Sequence, residues 1–248
     1  MSFSGKVAVV TGGSSGMGAA TAEALSSAGA QVNLIDIDKK GAEEIAKKTG
    51  SEIYIGDVSN SEFCDLTINS IAEKQGQIDI LINAAGIILR ADALETNDDN
   101  WKRIMEVNVD GVFYMCRSAL SHMVTKKSGV IVYFGSIWGD VASSGATAYC
   151  VTKGAVHQLT KALALEHAEN GIRVNAVAPG EVNTPMIKAG RDKPPTRDEL
   201  QDLANATIPI KRLAEPEEIA EVVLFLASEK SSYMTGSIVP VDAGYTAR

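Results

Sequence analysis

Tyr149 and Lys153 stand four positions apart in a stretch that the residue pattern predicts to be a helix, residues 146–168. Side chains at this spacing lie on the same helix face. A phenol has an unperturbed pKa of about 10, which is too high for a base at neutral pH, and an adjacent ammonium group lowers that pKa. The pair could therefore transfer a proton. The same spacing is also ordinary for a solvated pair on a helix surface.

A hydroxyl and an amide are candidate partners of this pair. Ser136 follows the predicted strand Val130–Phe134, so its hydroxyl is expected at the edge of a sheet where ligands bind. Asn108 lies among valines in the predicted helix 97–124 and needs a hydrogen-bond partner if it is buried. No metal site is predicted. The three histidines have no metal-ligand spacing, and we expect them on helix surfaces: His122, His157 and His167.

A glycine-rich turn separates the first predicted strand from the first predicted helix. Glycines there let the backbone turn tightly and approach a pyrophosphate, whose charge the amides of the helix N-terminus favour. The spacing is Gly-x-x-x-Gly-x-Gly, and an ordinary left-handed turn would also explain it. The residues predicted to contact the pyrophosphate are Gly12, Ser14, Ser15, Gly16, Met17 and Gly18.

Asp36 closes the second predicted strand, about 20 residues beyond the glycines, where a carboxylate can bind a ribose 2′-hydroxyl. Ile37 follows it, and the glycine turn contains no Arg or Lys for a 2′-phosphate. A carboxylate would also repel that phosphate, so NAD is predicted as the cofactor over NADP. The fourth predicted strand ends in small residues that let a ligand or a helix come close, Asn83, Ala84, Ala85 and Gly86.

Short apolar runs alternate with helical stretches along the whole chain, which predicts a doubly wound, parallel α/β sheet of about seven strands with helices on both faces. No linker divides the chain, so one domain over residues 1–248 is expected. Residues 181–212 hold four of the seven prolines and are predicted to be a loop-rich substrate lid. The predicted strands are 7–10, 32–35, 52–55, 78–82, 130–134, 173–177 and 238–241.

The composition is that of an ordinary globular protein, with 45% hydrophobic and 22% charged residues among 248. A net charge of −8 argues against a nucleic-acid partner, which needs a basic surface. No apolar run is long enough for a membrane span, and no signal peptide is recognised. With three well-separated cysteines, Cys64, Cys116 and Cys150, a reduced cytoplasmic protein is expected.

Taken together in their order and spacing, these motifs resemble the classical short-chain dehydrogenase/reductases along nearly the whole chain. The residue before Ser136 and the pair at the closing glycine depart slightly from the family pattern. The matching elements are Thr11–Gly18, Asp57-Val58, Asn83–Gly86, Asn108, Ser136, Tyr149–Lys153, Arg173–Gly180 and Asp242–Gly244.

The resemblance implies a Rossmann-type fold that binds a nicotinamide cofactor. It implies that Tyr149 exchanges a proton with the substrate oxygen, that Ser136 binds that oxygen, and that Lys153 lowers the pKa of Tyr149 and binds the nicotinamide ribose. Asn108 would support a proton-relaying water. Asp57 and Val58 would line the adenine pocket. The segment after the sixth strand would approach the nicotinamide, through Pro179, Gly180, Val182 and Thr184. The resemblance also implies a homotetramer.

Three functions fit the sequence. The first is an NAD(H)-dependent oxidoreductase for a small polar secondary alcohol or ketone, such as a polyol, sugar or hydroxy acid. The second is a 3-oxoacyl-(acyl-carrier-protein) reductase that uses NADPH, which Asp36 and the acidic charge disfavour. The third is a non-catalytic NAD-binding regulator. Three of the candidate substrate contacts are cations, so an anionic substrate is also possible from the sequence. The candidate substrate contacts are Ser136, Trp138, Tyr149, Arg90, Lys188 and Arg191.

Overall fold

Alternate residues of the apolar strands face opposite sides of the central sheet, so that each short strand contributes side chains to two hydrophobic cores. In the first strand Val7 and Val9 pack into one core, and Ala8 and Val10 pack into the other. The computed structural model describes residues 1–191 and 193–247. Asp192, which falls in the predicted lid, and Arg248 lie outside the described residues.

Seven parallel strands form one sheet in the described part of the chain, in the order β3-β2-β1-β4-β5-β6-β7. The chain leaves β1 in one direction toward β2 and β3, and then returns to place β4 on the other side of β1. Ligands bind at such a reversal, outside the carboxyl ends of the strands. The strands are β1 Val7–Thr11, β2 Gln31–Asp36, β3 Glu52–Ile55, β4 Ile80–Asn83, β5 Gly129–Phe134, β6 Ile172–Pro179 and β7 Ile238–Val241.

Helices cover both faces of this sheet, which confirms the predicted doubly wound fold. One core receives side chains from α3, α5 and α6, and the other receives side chains from α1, α2 and α8. The helices are α1 Gly16–Ser27, α2 Lys39–Thr49, α3 Ser61–Gln75, α4 Asp98–Met105, α5 Gly111–Lys126, α6 Thr147–His167, α7 Arg197–Thr207 and α8 Pro216–Ala227.

Two stretches differ from the prediction. The single helix predicted over 97–124 is α4 and α5 joined by a π-helical turn, Glu106–Asp110. The segment 181–212, predicted to be loop-rich, contains α7. Thr196 starts that helix, because its hydroxyl accepts from the Glu199 backbone N–H while the Glu199 carboxylate accepts from the Thr196 N–H. This Thr-x-x-Glu capping box was a readable signal for a helix. The role of the segment as a lid stays a prediction.

Among the described residues, no helix combines the length and the apolar character needed to cross a membrane.

Candidate active site

Two adjoining cavities open at the carboxyl edge of the sheet. A long groove runs over the glycine turn and the ends of β2, β3 and β4. A smaller cavity of about 80 Å³ lies beside it, between Ser136 and Tyr149 on one side and the segment after β6 on the other. Met17, Thr184 and Met186 line both, so the two cavities meet there.

The glycine turn fits closely against the tip of β4. Gly12 has a φ of +67°, and a Cβ there would lie 2.6 Å from the backbone nitrogen of Ala85. The Thr11 hydroxyl accepts from the N–H groups of both Ala84 and Ala85, at 3.2 Å each. These contacts hold the turn and the β4 tip together as one surface of backbone.

The first turn of α1 has backbone amides that no side chain of the described residues caps. Ser15 occupies the N-cap position, but its side chain makes no capping hydrogen bond. The first amides of a helix have no partner within the helix and favour an anion. Gly18 packs against the Gly12 carbonyl with no room for a Cβ, which keeps the turn tight. A tight turn with free amides fits the pyrophosphate of a dinucleotide.

Asp36 lies at the end of β2 in the groove, as predicted. One carboxylate oxygen accepts from the Ser14 backbone N–H at 3.0 Å, and the other accepts from the Asp38 N–H at 2.9 Å. The carboxylate is therefore fixed beside the glycine turn. Ile37, next in the chain, is 66% exposed and lines the same groove.

The far end of the groove holds Asp57, Val58 and an arginine that the sequence did not single out. Arg103 lines the groove and donates to the Asp57 carboxylate at 2.7 Å and to the Ser59 hydroxyl at 3.0 Å. Burial acts to raise the pKa of Asp57, but the Ser59 backbone N–H and Arg103 together hold that pKa below its usual value. Arg103 comes from α4, and nothing in the local sequence connects it with Asp57.

The four residues at the tip of β4 divide between groove and core. Ala84, Ala85 and Gly86 line the groove. The Asn83 side chain points into the core, where its amide donates to the Cys116 thiol at 3.2 Å. Its side-chain oxygen has no partner among the described residues.

Tyr149 and Lys153 are both buried near Ser136. The Lys153 ammonium donates to the Phe134 carbonyl at 2.7 Å and lies 5.4 Å from the centre of the Tyr149 ring. Burial lowers the pKa of Lys153 to about 8. Burial raises the pKa of Tyr149 to about 12, and the neighbouring Ser136 hydroxyl offsets part of that rise. The lowering of the Tyr149 pKa by Lys153 stays a prediction.

Asn108 sits in the π-helical turn between α4 and α5 and is buried. Its side chain accepts from the Ile87 N–H and donates to the Ile87 carbonyl, at 2.8 Å each, and also donates to the Thr152 hydroxyl at 3.1 Å. Asn108 thus ties the loop after β4 to the helix that carries Tyr149 and Lys153. The amide partner expected for a buried asparagine is the backbone of Ile87.

His157 is not on a helix surface, which corrects the prediction for this histidine. Its ring is 3% exposed, accepts from the Ser136 backbone N–H at 3.5 Å and contacts the Asp140 carboxylate at 3.1 Å. These partners fit a neutral ring with the proton on Nδ1. Burial lowers the pKa of His157, against the raising effect of Asp140. A Cβ on Gly139 would lie 2.5 Å from the ring, so the turn that carries Ser136 packs directly on His157.

Some of the predicted substrate contacts line the small cavity, and others are exposed outside it. Trp138 and Arg90 line the small cavity with Ser136 and Tyr149, and the Trp138 ring meets the Tyr149 ring edge to face at 5.9 Å. Arg191 is exposed and donates to the Ile187 carbonyl at 3.0 Å, and Lys188 is exposed after the short helix Pro185–Ile187.

The end of β6 and the segment after it line the small cavity, through Pro179, Gly180, Val182 and Thr184. The approach of these residues to the nicotinamide stays a prediction. Glu181, between them, also lines it and was not predicted from the sequence. The only available signal was an acidic residue directly after the Pro-Gly pair.

Residues 12–246 match the sequence model of a family described as enoyl-(acyl carrier protein) reductase. The meso-2,3-butanediol dehydrogenase of Serratia marcescens is 41% identical over 100% of this chain and 97% of its own length. The galactitol 2-dehydrogenase (L-tagatose-forming) of Cereibacter sphaeroides is 41% identical over 98% of this chain and 95% of its own.

The solved structure of gox2181 is 36% identical and superposes with a TM-score of 0.93, covering 100% of this chain and 98% of its own. The groove fits a dinucleotide, the small cavity beside it holds Ser136 and Tyr149, and the relatives span the whole chain. The protein therefore belongs to the short-chain dehydrogenase/reductases, a family of nicotinamide-dependent oxidoreductases that act on secondary alcohols and ketones.

Proposed function

We propose that the protein transfers a hydride between NAD(H) and a small polar secondary alcohol or ketone, with Tyr149 as the acid–base group. The observation that carries this proposal is that Ser136 and Tyr149 line one small cavity that joins the cofactor groove. At about 80 Å³ this cavity is well below the ~300 Å³ at which drug-sized sites begin, which favours a small substrate.

The preference for NAD rests on Asp36. Its carboxylate is held by two backbone N–H groups at the end of β2, which orient it beside the glycine turn where a ribose would bind. A carboxylate accepts from a 2′-hydroxyl and repels a 2′-phosphate. Ile37 beside it brings no cation to compensate.

The chemistry divides among four side chains. The nicotinamide, when bound, supplies or accepts the hydride. In alcohol oxidation the Tyr149 phenolate takes the hydroxyl proton, and in ketone reduction the phenol returns it to the carbonyl oxygen. Ser136 donates a hydrogen bond to the same oxygen. Lys153 brings positive charge to the Tyr149 ring, and Asn108 fixes the loop and helix around them.

A panel of secondary alcohols, polyols, sugars and hydroxy acids, assayed by NADH formation, tests this function. Tyr149→Phe should lower kcat/KM on the best substrate at least 100-fold, because general acid–base catalysis contributes about 10²–10⁴-fold. Tyr233→Phe is the matched control, since Tyr233 is fully exposed. Turnover by Tyr149→Phe within tenfold of the wild type would show that another group moves the proton.

A second candidate is an NADPH-dependent 3-oxoacyl-(acyl-carrier-protein) reductase, favoured by the 35% identity, over 98% of this chain, to the 3-oxoacyl-(acyl-carrier-protein) reductase of Thermotoga maritima. Asp36 and the net charge of −8 oppose it, since the carrier is acidic and NADPH carries the extra phosphate. A much higher kcat/KM with NADPH than with NADH would support it. Tight NADH binding without any turnover on the panel would instead support a regulator.

We further propose a cytoplasmic homotetramer. Large apolar side chains are exposed on α5 and α6, where Phe113 is 42%, Val151 44% and Leu165 83% exposed. Such side chains favour an interface between subunits. Light scattering of the purified protein should give four times the chain mass of 26.1 kDa.

A further inference from the structure

Glu181 brings a negative charge into the small cavity that Ser136 and Tyr149 line. Its backbone is fixed on both sides: the Gly180 N–H donates to the Val241 carbonyl at 3.1 Å, and the Ala214 N–H donates to the Glu181 carbonyl at 3.0 Å. Its side chain therefore starts from a defined place, two residues beyond the end of β6.

The Glu181 carboxylate acts on the reacting groups. Burial is the main cause that raises the pKa of Tyr149, and the charge of Glu181 adds to it. Burial also raises the pKa of Glu181 itself, against the lowering effect of Arg90 and Arg191. The Glu181 carboxylate and the Tyr149 phenol, which in the proposed function contacts the substrate oxygen, line the same cavity.

No partner satisfies this carboxylate within residues 1–191 and 193–247, where it makes neither a hydrogen bond nor an ion pair. Neighbouring acids behave differently, since Glu215 accepts from Asn183 and Glu218 pairs with Arg212 at 2.6 Å. A carboxylate is an acceptor only, and a partly buried one without a donor is open to a hydroxyl or amine.

Arg90 balances the charge of Glu181. Its Nε donates to the Ala189 carbonyl at 3.1 Å, which ties the guanidinium to the segment after β6. Most of the remaining lining is apolar, with Ile88, Ile137 and Ile187 among it. One cation and one anion in a mostly apolar cavity leave little net attraction for a charged substrate.

We propose that Glu181 accepts a hydrogen bond from a second hydroxyl of the substrate, so that the site selects neutral vicinal diols and polyols over mono-alcohols and hydroxy acids. The proposal rests on the proposed function, because the first hydroxyl must be the one that Tyr149 deprotonates. The small volume of the cavity, about 80 Å³, favours a substrate whose two hydroxyls lie close together, as on adjacent carbons.

The test compares butane-2,3-diol, butan-2-ol and 3-hydroxybutyrate as substrates of the full chain with NAD⁺. A hydrogen bond to a charged group should make kcat/KM for the diol about 10- to 100-fold higher than for butan-2-ol. In Glu181→Gln that ratio should fall about tenfold, and the disadvantage of 3-hydroxybutyrate should shrink because its carboxylate meets no negative charge. Glu169→Gln, at an exposed glutamate, should leave all three values unchanged.

A readout independent of turnover comes from calorimetric titration of the diol into Tyr149→Phe and into Tyr149→Phe/Glu181→Gln, both with NADH. The double variant should bind the diol about tenfold more weakly. Oxidation of butan-2-ol without a diol preference, an unchanged ratio in Glu181→Gln, or a hydroxy acid as the best substrate would overturn the Glu181 inference alone. Failure of every alcohol with NAD⁺ and with NADP⁺ would overturn the proposed function as well.

Discussion

The cofactor groove is built mainly from backbone, whereas the cavity beside it is built mainly from side chains. In the groove Gly12 packs against the backbone of Ala84 and Ala85, and backbone amides hold Asp36. In the cavity Ser136, Trp138, Tyr149, Arg90 and Glu181 converge from separate segments. A backbone surface tolerates few changes, while a side-chain surface can be changed residue by residue to suit another substrate.

Gly12→Ala tests the backbone half and should have the largest effect. The new methyl group would meet the Ala85 backbone nitrogen at 2.6 Å, so the turn must move, and NADH affinity should fall at least 100-fold in a fluorescence titration. Gly50→Ala is the control, because Gly50 has a similar φ of +71° with nothing within 4 Å of a Cβ. It should cost only about 1–2 kcal/mol of stability. Unchanged NADH binding by Gly12→Ala would show that the turn adapts.

Asp36→Ala should shift the cofactor preference. Losing a charged acceptor for the ribose should raise the KM for NADH about tenfold, and removing the repulsion should improve kcat/KM with NADPH. Asp38→Ala removes the N-cap of α2 instead, where Asp38 accepts from Lys40 and Gly41. That control should lose about 1 kcal/mol of stability with its preference intact. A preference that stays with NADH in Asp36→Ala would place the selection elsewhere.

His157→Leu tests the support of the side-chain half. Without the acceptor for the Ser136 N–H, the serine turn loosens, and kcat should fall about tenfold while the Kd for NADH stays within twofold. Asp140→Ala, at an exposed carboxylate, should show a smaller fall of the same kind and guards against misfolding of the first variant. Equal losses in kcat and in cofactor affinity would indicate a general structural role.

Lys153→Met should abolish turnover yet raise stability by about 1 kcal/mol at pH 7, because a buried charge with one carbonyl partner is removed. The folded pKa of about 8 lies below the 10.5 of an exposed lysine, so the unfolded chain binds more protons between these values. Wild-type stability should therefore rise with pH from about 8 to 10.5, and the variant should lack that rise. Urea unfolding at pH 7 and pH 10 measures both.

The two halves were also unequally predictable from the sequence. Gly12, Gly16, Gly18 and Asp36 act through local turns and a strand end, so their spacing alone places them in the groove. Arg103, Glu181 and His157 act through contacts with residues 21 to 46 positions away, or through a cavity that forms only when separate segments meet.

The positions where helices begin and end were also only partly predictable from the sequence. The hydrophobic pattern of residues 97–124 predicts one continuous helix. It does not predict the π-helical turn at Glu106–Asp110, because one such turn barely changes the side-chain periodicity. The helix α7 was predictable from its capping box. It was not predicted because the prolines around it favoured a loop.

The position of β1 beside β4 has a consequence for synthesis. As the chain emerges from the ribosome, Val7–Thr11 can pair with β2 early, but its other edge waits until Ile80–Asn83 has been made. During that interval an apolar strand presents unpaired N–H and C=O groups, which is the kind of edge that recruits other chains. The strand that carries the glycine turn is thus the one most in need of protection from aggregation while the protein is only one-third translated.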